Sequence, residues 1–163
     1  MNNGYLDKSL IQNSLLASTL LTCFIKKYED LNSHTDSVDL LKLLLVLPLV
    51  WHKESCNLIC KRKLTTSLNQ ILTENSLIKA NFEKRVLEFS PIAIQGLNLA
   101  NSTKLISVVK SQENTLFICN FKKWPSNYNY KVLPKEMLYT INRLAYWFKN
   151  HSTEELYFML MGK

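Results

Sequence analysis

Leu41 to Lys53 reads LKLLLVLPLVWHK, an apolar run interrupted by Lys42 and Pro48 and closed by Trp-His-Lys. A bilayer-spanning helix needs roughly 20 consecutive apolar residues, so this stretch is expected to be the core element of a small soluble domain. Asp36 or Ser37 is placed to cap a helix over Val38 to Leu47. Pro48 then pushes its predecessor toward extended geometry or kinks the helix.

Upstream, Leu16, Leu20, Cys23 or Phe24, and Lys27 recur at three- and four-residue spacing, which predicts an amphipathic helix over Ser14 to Tyr28 capped by Asn13. Downstream, Cys56 and Cys60 fall in a loop, Thr65 and Thr66 open a helix to about Thr73, and Asn75 or Ser76 opens another through Phe89. Ser90-Pro91 reads as a helix restart, with proline in the first turn where its missing N–H costs nothing.

The period then changes to that of a strand. Lys104 to Lys110 and Thr115 to Phe121 are rich in Ile, Val, Leu and Phe and flank Ser-Gln-Glu-Asn, a β-hairpin signal without a turn glycine. Leu133-Pro134 starts a helix through Asn150, and Ser152-Thr153-Glu154-Glu155 is a capping-box pattern opening a last one. The expectation is one α+β, predominantly α domain over 1–163: an N-terminal helix at 13–31, a helical core plus hairpin at 36–121, and C-terminal helices at 133–163. Short helices running into a hairpin resemble a winged helix-turn-helix, whose recognition helix would precede the hairpin.

Twenty Lys and Arg against 13 Asp and Glu give a net charge of +7, which favours an acidic partner, either nucleic acid or an acidic protein surface. The basic candidates are Lys61-Arg62-Lys63, then Lys79, Lys84 and Arg85, and Lys122-Lys123 beside Trp124. Against base readout, the helix PIAIQGLNLAN carries no charge and offers only Gln95, Asn98 and Asn101 to base edges. Protein docking or core packing explains it better.

The chemistry-bearing residues exclude more than they suggest. Only three glycines occur, Gly4, Gly96 and Gly162, so there is no phosphate loop or dinucleotide fingerprint and nucleotide binding is not expected. Cys23, Cys56, Cys60 and Cys119 form no disulfide framework and read as buried or inert thiols. His52 with Cys56 and Cys60 lacks the fourth ligand of a closed zinc site. Neither His34 nor His151 lies in a catalytic signature, so no metal, cofactor or catalytic residue is expected. The N-terminal MNNGYLDKSLIQN has no basic n-region leading into an apolar stretch, which points to the cytosol.

Asn13 to Leu16, Phe24 to Tyr28, Leu45 to Lys53, Leu64 to Leu72, Asn81 to Val86, Arg143 to Phe148 and Leu156 to Gly162 follow one another in an order that resembles the middle component of prokaryotic ABC three-component conflict systems. Asn13-Ser14-Leu15-Leu16 with Phe24-Ile25-Lys26-Lys27-Tyr28 is similar to that family's opening helix, and Leu45 to Lys53 to its LPLVLHK signature. Leu64 to Leu72 resembles its arginine- and threonine-containing helix, and Asn81 to Val86 its Gly-Phe-x-x-Arg helix. Arg143 to Phe148 and Leu156 to Gly162 parallel its closing segments. Ser14 departs from the family's proline, Asn81 from its glycine, and Ala145-Tyr146 from Gly-Arg; a cysteine-bearing segment follows His52-Lys53 where the family is basic.

The resemblance implies a noncatalytic adaptor that couples an SMC/Rad50-like ABC ATPase to a third, effector component encoded in the same operon, in defence against phage or other mobile elements. Trp51, His52, Lys53 and Trp124 are then the candidate partner-binding residues. In the alternative reading, a winged-helix DNA binder, Lys61, Arg62, Lys63, Lys122 and Lys123 contact nucleic acid.

Overall fold

A computed structural model describes residues 3–162, with side chains from Asn13 onward. The fold is α+β and predominantly α, with one small antiparallel sheet. Its axis is α1 (Asn3–Leu31). From Ala17 to Ile25 every residue is buried, because α6 (Phe82–Ser102), α7 (Lys135–Phe148) and the sheet pack around it. Asn13, expected to cap this helix, lies inside it, since the helix begins a full ten residues earlier.

The α1–α6 crossing is close because α6 presents Ala93, Gly96 and Ala100 there, all buried. A Cβ on Gly96 would stand 2.8 Å from both the Ala17 Cβ and the Ser18 backbone nitrogen, so glycine sets the approach of the two backbones. Interaxial distance follows the size of the side chains at the contact.

The apolar run does not form one helix. Val38–Asp39 is a strand, β1, and the run then folds as α2 (Leu40–Leu44) and α3 (Val46–Val50) with a break at Leu45. Val38 pairs with Phe117 of the hairpin, a contact between residues distant in sequence that no local pattern announces. Asp39, rather than Asp36 or Ser37, caps α2: its carboxylate accepts the Lys42 N–H at 2.8 Å. Pro48 sits in the first turn of α3, where no intrahelical donor is required of it, so the break falls before the proline.

α4 (Lys53–Ile59) takes up the segment expected as a loop, placing Cys56 inside a helix and Cys60 at its C-cap. α5 (Leu68–Glu74) starts at Ser67 rather than Thr65, because the Ser67 hydroxyl accepts the Gln70 N–H at 3.2 Å. A 3-10 turn over Ser76–Ile78 leads to Asn81, which has φ of 52° and precedes α6. That left-handed conformation suits glycine and is tolerated by asparagine, which accounts for Asn81 standing where the resembling family has glycine. The restart expected at Ser90-Pro91 is absent: α6 runs through it, and Pro91 lies on its exposed side. Proline supplies no N–H to the Leu87 carbonyl one turn earlier, and Leu87 is itself an exposed residue.

The hairpin is as expected, β2 (Ile106–Lys110) and β3 (Thr115–Cys119). Its glycine-free loop is closed by Ser111, whose N–H donates to the Asn114 carbonyl at 2.9 Å while its hydroxyl accepts the Asn114 N–H at 3.0 Å. The sheet order is β1-β3-β2. Beyond the end of β1, the Glu29 carboxylate accepts the Cys119 N–H at 2.9 Å and binds β3 to α1. A 3-10 turn over Tyr130–Val132 precedes α7, and α8 (Thr153–Met161) opens on the full capping box of Ser152 and Glu155. Among the described residues no helix is long and apolar enough to cross a membrane.

Candidate functional site

Two basic regions result from this packing, and they differ in kind. The first is a joint built on Arg85. The last four carbonyls of any helix lack intrahelical donors, and α3 is so short that Pro48 is among them. Arg85 Nη1 donates to the Pro48 carbonyl at 2.7 Å and to Ser55 Oγ at 3.2 Å, and Nη2 donates to the carbonyls of Ile78 and Ala80. Its guanidinium also lies 5.1 Å from the Phe82 ring centroid. Read from the sequence as a possible phosphate contact, Arg85 is instead buried and committed to backbone.

His52 continues the same network. It is the N-cap of α4, where its Nδ1 accepts the Ser55 N–H at 3.3 Å and lies 2.8 Å from Ser55 Oγ. Since that oxygen receives Arg85, its own proton points to His52. Nδ1 is therefore an acceptor on both counts, and the ring proton belongs on Nε2. Burial, and then the Arg85 charge, push the imidazole below its ordinary range against the opposing pull of Glu54. Trp51 is half-buried and packs edge-on against Phe89 of α6, 5.6 Å between centroids. Of Trp51, His52 and Lys53, Lys53 alone is exposed.

Cys56 and Cys60 are buried. Cys56 Sγ is 3.3 Å from Thr140 Oγ1, and burial raises its thiol above the usual range. Cys23 is pushed up to about 12 by burial, and Cys119 is raised as well. A thiol nucleophile works as the thiolate, which these surroundings disfavour. Among the described residues no group of three or more His, Cys, Asp and Glu could hold a metal ion.

The second region is a cavity of about 690 Å³ between α1, the chain leaving β3, and the start of α7. Lys26 and Lys27 come from α1, Lys122 and Trp124 from the β3 exit, Tyr130 and Lys131 from the 3-10 turn, and Lys135 and Tyr139 from α7. Its acidic member is Asp30, bonded by Lys26 and 3.6 Å from His34 Nε2. Among the described residues no carboxylate lies within ion-pair distance of Lys27, Lys122, Lys131 or Lys135. Trp124 is held by Tyr128 and Tyr130, with ring centroids at 5.3 and 4.5 Å, and by Phe121 at 4.7 Å.

This pocket takes in Lys122 and Trp124 from the sequence candidates and omits the rest. Lys123 is exposed beside it, and Lys61 and Lys63 are exposed on the turn after α4. Arg62 is engaged, pairing with Glu74 at 2.9 Å while its carbonyl accepts from Arg143. Sequence reasoning missed Lys26, Lys27, Lys131 and Lys135. The four-residue spacing of the last two was visible, but nothing local places α7 beside α1. A second concavity, about 580 Å³ between the start of α6 and the end of α8, carries both signs of charge through Glu83, Lys79 and Lys84.

The family model for the ABC-three component system Middle Component 3 matches residues 7–162. The chain belongs to that family. As a Middle Component 3, it is one component of a multi-component ABC system, and the joint gives physical content to two stretches of the resemblance. Pro48 of the Leu-Pro-Leu-Val signature and Arg85 of the Asn-Phe-x-x-Arg stretch bond each other directly. No curated protein and no solved structure matches the chain.

Proposed function

We propose that this Middle Component 3 is the noncatalytic adaptor of its system, coupling an SMC/Rad50-like ABC ATPase to a third, effector component in defence against phage or other mobile elements. The family match over residues 7–162 carries the reading. Surface chemistry supports it: Leu87, Pro91 and Ile94, at helical spacing on the outer side of α6, are exposed, the two aliphatics at 71% and 44%. A contiguous apolar stripe of this kind suits a protein contact. Coexpression with the neighbouring components followed by gentle copurification is expected to yield a stable complex. A chain that elutes alone would refute the adaptor role.

A second reading, a winged-helix DNA binder, draws on the strand order β1-β3-β2 and on α6 preceding the hairpin. It calls for a salt-dependent duplex affinity that falls when Lys61, Arg62 and Lys63 are replaced. Unchanged affinity in that variant eliminates it.

A further inference from the structure

We infer that the lysine-lined pocket beside α1 is a binding site for a nucleotide, taken either free or as the end of a single strand. Three observations converge. The volume, about 690 Å³, lies in the range of small-ligand sites and suits a compact ligand better than a long peptide. Lys27, Lys122, Lys131 and Lys135 bring ammonium groups from α1, the β3 exit, the 3-10 turn and α7 to one cavity, with no carboxylate of the described residues in ion-pair range of them. Asp30, the acid on the wall, is already engaged by Lys26.

Such a concentration of positive charge is suited to a ligand that carries several negative charges in a short length, as adjacent phosphates do, and lysine binds phosphate as a point charge. The third observation is the aromatic wall. Tyr130 and Tyr139 line the cavity, and Tyr130 is held in place by stacking on Trp124, 4.5 Å between centroids and 29° between planes. Cationic sites with aromatic walls are the recurring means of holding nucleotide units without base-specific hydrogen bonds. This mode needs no glycine loop, so the scarcity of glycine that argued against nucleotide binding does not bear on it. The inference stands apart from the adaptor role: copurification can succeed or fail whatever this pocket binds.

Fluorescence anisotropy of the full chain with a labelled oligo(dT) strand, competed by unlabelled ATP, tests it. The triple variant Lys122→Gln, Lys131→Gln, Lys135→Gln removes three exposed side chains of the pocket, and Lys79→Gln, Lys84→Gln, Lys110→Gln removes equal charge elsewhere. Saturable strand binding is expected, with the slope of log affinity against log salt reduced by about 2 in the pocket variant, since a single strand contributes about 0.7 per phosphate contact. Competition by ATP identifies a site for the nucleotide unit. Strand binding without competition assigns it to a strand end, and binding of labelled ATP alone assigns it to the free nucleotide. Absence of saturable binding by either probe overturns the inference. So does a pocket variant that binds like the wild type, or an equal loss in the variant with charges removed elsewhere.

Discussion

The joint and the pocket are both assembled from basic side chains, yet their cations do opposite things. At the joint Arg85 is buried and its two terminal nitrogens donate to the carbonyls of Pro48, Ile78 and Ala80. Lys42 is similar: buried, it donates to the Tyr28 hydroxyl at 3.2 Å and to the carbonyls of Phe148 and His151 at 3.3 and 3.0 Å, where α7 ends. In the pocket, Lys122, Lys131 and Lys135 are exposed and meet no carboxylate among the described residues. A cation surrounded by helix-end carbonyls holds the fold, whereas one facing an open cavity is available to a ligand. The net charge of +7 does not distinguish the two.

The sharpest way to break this contrast is Arg85→Met. It leaves several buried acceptors without donors, each costing about 1–3 kcal/mol, so a loss of about 3–5 kcal/mol is expected in urea unfolding. A loss below about 1 kcal/mol would remove Arg85 from its structural role. Lys42→Met should cost somewhat less, about 2–3 kcal/mol, because one of its three acceptors, the Tyr28 hydroxyl, keeps its own hydrogen bond to Asp36 at 3.1 Å.

A smaller effect separates His52 from its surroundings. Its folded pKa is depressed below the ordinary 6.5, so between the two values the unfolded chain binds more protons. Stability is therefore expected to fall as pH drops from about 6.5 through the lowered value. His52→Asn keeps a capping side chain and should lose this part of the pH dependence. A melting profile unchanged by that substitution would show that His52 does not titrate in this window. Smallest of all, each of Lys122→Gln, Lys131→Gln and Lys135→Gln should alter stability by less than about 0.5 kcal/mol, as surface substitutions do.

Where the pattern is local, the sequence spelled out the fold: the hairpin strands, α7 behind Leu133-Pro134, and the capping box at Ser152 all appear as expected. Two of the departures share a cause. Val38 belongs to a strand because Phe117 pairs with it, and Pro91 passes through α6 because its side faces water; both depend on tertiary context. The site divides the same way. Lys122 and Trp124 were legible as a basic and aromatic cluster, while Lys26 and Lys27 join them only through the packing of α1 against α7. Arg85 was misread because a guanidinium in an exposed helix and one beneath α3 look alike in sequence.

Thermal unfolding with and without the nucleotide probe, on wild type and on Lys122→Gln, Lys131→Gln, Lys135→Gln, tests the division between joint and pocket most directly. A ligand that binds only the folded chain raises the melting temperature by mass action. Without probe the two proteins are expected to melt at the same temperature, and with probe only the wild type is expected to melt higher. An equal rise in both, or a variant that melts markedly earlier without probe, would contradict that division.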